Sequence, residues 1–274
     1  MKKAVSAALG LLLAASPVCF GASAVDVNTY EPTLYFRASA DENITVQPSG
    51  RVFVNIKKHP EGVNVNSGVY YLDEAKATNM VFVKWQSNGD IISLANNTDP
   101  ITAAGACPYS RWKTAKSINI SEHENIFSVS YASTSASPLA LTGDSSDSYP
   151  LACFDTVIPG DAPAGLYEVS FITDNSGNRC NASYGEPLRD IRPSGDHAKS
   201  LYIAVSDRDL GDVNGSGKLE AVDASKILIV AANLAESGET GLSAGEELAA
   251  DFNGDGKITA TDASAVLVTV ADLS

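Results

Sequence analysis

Toward the C-terminus, oxygen-bearing side chains recur at alternate positions in two separate stretches. In the first, Asp212, Asn214 and Ser216 stand two residues apart, Gly217 and Lys218 follow, and Asp223 closes the stretch. In the second, Asp251, Asn253, Asp255, Gly256, Lys257 and Asp262 keep the same spacing. This is hard-cation chemistry: calcium takes roughly six to eight oxygens at about 2.4 Å, and alternate residues of a tight loop point inward to supply them. The sixth loop position must bend sharply, which favours glycine. The seventh gives only its backbone carbonyl, so Lys218 and Lys257 can sit there. The twelfth opens a helix, and its carboxylate closes the cage from below. One such string could be an Asx-turn loop that binds nothing. Two strings, each with apolar Leu219 or Ile258 at the eighth place, point to two calcium ions, one per loop.

The loops belong to an internal repeat. The 24 residues from Gly211 and the 24 from Ala250 align without gaps at an offset of 39, with 12 identities. Such self-similarity marks a duplicated unit. Behind each loop, residues 224–234 and 263–273 carry apolar side chains at helical spacing. No helical stretch leads into Asp212. Loop one offers two carboxylates and loop two offers three, so loop two is expected to fill first. Residues 211–274 hold 11 acidic and 3 basic side chains, a charge that bound calcium would halve.

These loops resemble EF-hand loops, but with Asp at the twelfth place and only an exit helix. That combination resembles the dockerin module of cellulosomal proteins, in its type I-like form. The resemblance covers residues 211–274 and implies a small α-helical calcium-binding module with a short middle helix, here within 241–250. It also implies docking onto a cohesin of a larger scaffoldin. In that family the tenth and eleventh loop positions and the exit helix touch the partner. Here those places hold Ala221, Val222, Ile229 and Val230 in the first copy, and Ala260, Thr261, Val268 and Thr269 in the second. This face is more apolar than the Ser-Thr and basic face of many relatives. Of Ile229 and Val268, one is expected to pack between the helices instead.

The chain has 274 residues, with 33 acidic and 19 basic side chains and a net charge of −14. That balance argues against nucleic acid, which needs clustered Lys and Arg, and against a polybasic membrane contact. Lys2 and Lys3, the apolar residues 4–15 and Ala22-Ser23-Ala24 read as a signal peptide cut after Ala24. No later stretch is long and apolar enough to span a bilayer. The expectation is a secreted, extracellular protein, part of a cell-surface-associated cellulosome. Cys107, Cys153 and Cys180 remain after the cut. Cys153 reads as a buried small hydrophobe, and Cys107 and Cys180 as the pair if any forms. His59, His123 and His197 read as solvated loop histidines.

Between residues 25 and 206 the pattern changes to short apolar alternations separated by turns, nine in all: 33–37, 51–56, 69–72, 80–85, 90–94, 126–131, 151–157, 165–172 and 201–205. This predicts an all-β jelly-roll sandwich. No G-x-S-x-G, H-E-x-x-H or phosphate loop occurs, and no matched carboxylate pair stands on facing strands. Trp85, Trp112, Tyr70 and Tyr71 could form a sugar-stacking platform, but adjacent tyrosines point to opposite faces and Trp85 ends an apolar run. The runs RVFVNIK (51–57), GVYYLDE (68–74) and ACFDTVIPGDAPAGLYEVSF (152–171) are similar to cohesin strands. The resemblance implies that one sheet face receives a dockerin. By position Asn64, Asn66 and Ser67 are candidates for that contact, against a plain reading as a polar loop.

The organisation expected is therefore a signal peptide (1–24), a cohesin-like sandwich (25–206), a short linker (207–210) and a dockerin (211–274). The function it implies is a non-catalytic adaptor scaffoldin. It would hold the dockerin of an enzyme or other component in plant polysaccharide degradation. The alternatives are a dockerin-borne carbohydrate-binding protein and a hydrolase of unfamiliar type.

Overall fold

The computed structural model describes residues 31–72, 78–96, 112–113, 125–133, 150–174, 180–184 and 189–273. The expected signal peptide (1–24), Cys107, His123 and the side chain of Trp112 lie outside the described residues.

Fourteen strands are described: β1 (Thr33–Ala38), β2 (Thr45–Val46), β3 (Val52–Asn55), β4 (Val63–Leu72), β5 (Thr78–Asn88), β6 (Ser93–Asn96) and β7 (Trp112–Lys113). The rest are β8 (Ile126–Ser133), β9 (Ala152–Ile158), β10 (Gly165–Phe171), β11 (Asn181–Tyr184), β12 (Arg189–Ile191), β13 (Ala198–Lys199) and β14 (Leu201–Ser206). One sheet runs β13-β1-β4-β9-β6. The other runs β12-β11-β5-β10-β14-β3-β2, with β8 beside β5 and β7 beside β8. Pairing is antiparallel except for β1 with β13 and β3 with β14. Those two parallel pairs need crossovers, so the chain changes sheet repeatedly, as a jelly roll does.

Alternation puts one face of each sheet inward. Phe36 of β1 stacks on Phe171 of β10 with centroids 4.1 Å apart, and Trp85 of β5 meets Phe154 of β9 at 5.6 Å. These ring contacts join the two sheets. Trp85 is 1% exposed and Tyr71 3%, so both are core residues and no stacking platform forms from them. Cys153 and Cys180 are buried. Cys180 is an unpaired thiol whose Sγ lies 3.2 Å from the Lys84 carbonyl, and burial pushes its pKa up to about 11. Of the two cysteines named as the pair if any forms, Cys180 is free and packs in the sandwich core.

The C-terminal segment carries α1 (Ala221–Ser237), α2 (Ala244–Ala250) and α3 (Ala260–Leu273). Its own core is small: Val213, Ala224, Ile227, Ala250, Ala263 and Val266 are buried together, with Leu219 and Ile258 packed against them. Each helix has a local reason to start and stop. Ser243 accepts the Glu246 amide while the Glu246 carboxylate accepts the Ser243 amide, a reciprocal cap on α2. Gly238 ends α1 at φ 76°, a left-handed conformation that glycine takes without steric cost. No described helix is long and apolar enough to cross a membrane.

Candidate functional site

The two loops are built alike, bond for bond. In loop one, the Asp212 carboxylate accepts the amides of Gly215, Ser216 and Gly217 at 2.8–3.0 Å. In loop two, Asp251 accepts those of Gly254, Asp255 and Gly256 at 2.9–3.1 Å. The twelfth-position carboxylates do two jobs each. Asp223 accepts the Asn214 amide at 3.0 Å and the Glu220 amide at 2.9 Å. Asp262 accepts the Asn253 amide at 3.1 Å and the Thr259 amide at 2.9 Å. The same side chain thus ties the loop's entry and caps the exit helix, where an anion also meets the positive end of the helix dipole. Gly217 and Gly256 have φ of 77° and 84°, which explains glycine at the sixth place.

The donor set fits a calcium ion. Asp212, Asp223, Asp251 and Asp262 are buried, at 3%, 0%, 4% and 0% exposure. Two buried carboxylates per loop are costly unless positive charge meets them. Burial pushes the Asp251 carboxyl above its usual range; the Arg51 guanidinium and the Gly256 amide pull it down, and Asp262 adds to the upward push. Asn214, Ser216, Asn253 and Asp255 ring the open side, with the Lys218 carbonyl next to Ser216 Oγ at 3.2 Å. Among the described residues no three Asp, Glu, His or Cys side chains converge to hold an ion by themselves. The cage therefore needs its amide, hydroxyl and backbone oxygens, which are weaker donors but hard ones.

The helix faces sort the expected partner residues. Ala221, Val222, Ala260 and Thr261 are exposed, and Thr269 is half-buried. Ile229 is 60% exposed and Val268 62%, so neither packs between the helices. The residues that do are Ile227 and Val266. Val230 is corrected: at 3% exposure it faces inward and cannot meet a partner. One residue is 100° of helix, and in the unbroken apolar run 227–230 that decides the face.

On the sandwich, Asn64, Asn66 and Ser67 lie inside β4, not in a loop. Asn64 is exposed, and Asn66 Nδ2 donates to Asp155 Oδ1 at 3.2 Å. Ser67 is corrected, because it is fully buried and points into the core. The outward face of this sheet also carries Tyr35 and Arg37, which the sequence did not single out, beside Tyr70, which it did. Tyr35 and Tyr70, paired across β1 and β4, stack at 5.4 Å, and the Arg37 guanidinium lies 5.3 and 5.1 Å from their ring centres. A bare Gly68 beside them leaves room: a Cβ there would lie 2.9 Å from the Tyr70 ring. Two tyrosines 35 residues apart give no local signal that they meet.

Residues 210–269 match the family model described as the dockerin type I domain. That segment is a dockerin. Its limits enclose both calcium loops and most of α3. No curated protein matches the chain. Among solved structures, a type III cohesin module of the ScaE cell-surface anchoring scaffoldin of Ruminococcus flavefaciens is 13% identical, covering 65% of this chain and 89% of that one with a TM-score of 0.40. The Coh-OlpA-Doc918 cohesin–dockerin complex from Clostridium thermocellum is 11% identical, covering 63% and 99%, with a TM-score of 0.36. The seventh ScaB type I cohesin of Pseudobacteroides cellulosolvens is 12% identical, covering 53% and 84%, with a TM-score of 0.35.

Proposed function

We propose that the chain is a secreted, non-catalytic adaptor: its dockerin plugs into a cohesin of a larger scaffoldin, and its sandwich receives the dockerin of an enzyme or other component. The observation that carries the reading is the duplicated loop–helix unit, which presents Ile229 and Val268 outward at matching positions. A helix pair that leaves such side chains in water on both copies is built to bury them against a partner. The proposed ligands of the first calcium ion are Asp212, Asn214, Ser216, the Lys218 carbonyl and Asp223. Those of the second are Asp251, Asn253, Asp255, the Lys257 carbonyl and Asp262. Bound calcium supplies charge neutralisation and a fixed loop shape; α1 and α3 supply the contact.

On the sandwich, the outward face of the five-stranded sheet is the proposed receptor, centred on Arg37, Tyr35, Tyr70 and Asn66. Tyr and Arg are among the residue types enriched where protein contacts carry most of their energy, because each joins a broad apolar or planar surface to hydrogen-bonding groups. The test is a pull-down on the full chain with labelled dockerins and labelled cohesins, in calcium and in EGTA, run beside retention on insoluble cellulose. Capture of one dockerin class and one cohesin class, the latter abolished by EGTA, is expected. Polysaccharide retention without dockerin capture would move the assignment to a carbohydrate-binding protein. Reducing-sugar release that vanishes with one Asp or Glu of the sandwich would make it a hydrolase.

A further inference from the structure

The sandwich and the dockerin meet across a buried polar seam, and the seam is aimed at one calcium loop. Arg51, just before β3, places Nη1 2.7 Å from Asp251 Oδ2, and both side chains are 6% exposed. Its Nη2 donates to the Asp251 carbonyl at 3.0 Å, and its Nε donates to Gln47 Oε1 at 2.6 Å. Gln47 Nε2 in turn donates to the carbonyls of Asp251 and Phe252 at 2.8 and 3.1 Å. The Ser49 amide donates to the Asn253 carbonyl at 3.2 Å. The backbones are close enough that a Cβ on Gly254, which sits at φ 78°, would lie 2.5 Å from Ser49 Oγ. Behind the seam, Phe53 and Ala204 of the sandwich bury Ala249 of α2. Loop one has the same amide bonds to its first carboxylate but no arginine on it: Arg208 lies against Gly215 and pairs with Glu246 at 3.2 Å, while among the described contacts Asp212 Oδ2 meets the Gly217 amide.

We propose that the Gln47–Arg51 turn of the sandwich is a latch that grips the second calcium loop, so that calcium loading locks the two modules into one rigid body. The donors of the latch are spaced to read three successive carbonyls of loop two together with the outer oxygen of Asp251. Those acceptors hold that spacing only while the loop keeps its folded shape. On the calcium reading above, the ion maintains that shape, so calcium and latch favour the same conformation and each strengthens the other. A partial release that left the guanidinium desolvated with only Gln47 to accept from it would be costly, which makes the latch switch-like instead of gradual. The latch leaves the outward faces of α1 and α3 uncovered, since Val222, Ile229 and Val268 stay 60–62% exposed. The adaptor would thus hold its plug at a fixed angle to its receptor sheet only when calcium is present.

The test follows the Ser49 amide by hydrogen exchange on the full chain, with calcium uptake measured beside it by calorimetry. In saturating calcium the Ser49 amide is expected to exchange at least tenfold more slowly than in excess EGTA. Arg51→Ala is expected to abolish that protection in calcium while amides of β5 stay protected, and Gln47→Ala is expected to weaken it if Arg51→Ala does not fold. Calcium uptake at both loops with a Ser49 rate unaltered by EGTA, or by both substitutions, overturns the latch and leaves the calcium reading standing. Absence of calcium uptake overturns both.

Discussion

Ile229 on α1 and Val268 on α3 occupy the same place in the two repeats, 39 residues apart, and both stand about three-fifths exposed. The dockerin therefore offers nearly the same apolar knob twice, on helices related by the duplication. A cohesin that fits one copy meets a near-copy when the module is turned over. Ile229→Asp and Val268→Asp are each expected to weaken cohesin binding less than about fivefold, because the other face substitutes. The double variant is expected to weaken it at least a hundredfold, since a charge is then buried in either orientation. Surface plasmon resonance on the full chain measures this. Loss of binding by one single variant alone would assign docking to one face.

A one-residue step around α1 separates docking from folding. Ile227 is fully buried in the dockerin core and Ile229 is not. Ile227→Ala should cost roughly 2–4 kcal/mol of dockerin stability, the usual range for a truncated core aliphatic. Ile229→Ala should change it by less than about 0.5 kcal/mol, as exposed positions do. Thermal melts followed by the helical circular-dichroism signal in calcium compare the two.

What could be read from the sequence follows from how local each constraint is. The two repeated loops were legible because their folding demands given residue types at given intervals within twelve residues. The exit helices followed, although α1 begins three residues earlier than the apolar spacing suggested, since Asp223 caps it from inside its first turn. The face of α1 was not legible at 229 and 230, because residues 227–230 are all apolar and hydrophobic periodicity cannot choose within such a run. On the sandwich, the long alternations gave strands, while two-residue β2 and β13 carry no pattern at all. Asn64, Asn66 and Ser67 looked like a loop because they are polar; they are strand residues, and Ser67 is a polar side chain at an inward place of the alternation. Arg51 and Asp251 lie 200 residues apart, and nothing in either segment announces the other.

Arg51 also alters the expected order of calcium filling. Loop two has three carboxylates to loop one's two, but Arg51 pairs with one of them at 2.7 Å, whereas the cations beside loop one, Lys226 and Arg208, are themselves paired with Glu246. Ligand charge then gives loop two little advantage. Calorimetry on the full chain is expected to show two sites within about tenfold of each other, with Asp223→Asn and Asp262→Asn each removing one. A gap above a hundredfold in favour of loop two would show that Arg51 is not screening it. Chelation should collapse the signal of helices of 17, 7 and 14 residues while the β signal persists, because a cage of buried acids cannot hold its shape uncompensated.

Glu246 gives the dockerin a pH dependence of its own. Its carboxylate accepts the Ser243 amide at 2.9 Å and lies 3.2 Å from both Lys226 Nζ and Arg208 Nη2, so it ties α2 to α1 and to the segment between the modules. The Ser243 amide first, and Lys226 with it, hold the carboxyl down to about 2 from an ordinary 4.5. A carboxyl depressed in the folded state stabilises it above the ordinary value, and that contribution fades as pH falls from about 4.5 to about 2. Glu246→Gln removes the charge at every pH. The variant is therefore expected to melt below the parent at pH 7, by a few degrees, and the gap should close as pH approaches 2. Thermal melts of both proteins from pH 7 downward read the gap directly. A difference that stays constant across that window would mean that Glu246 acts through packing and not through its charge.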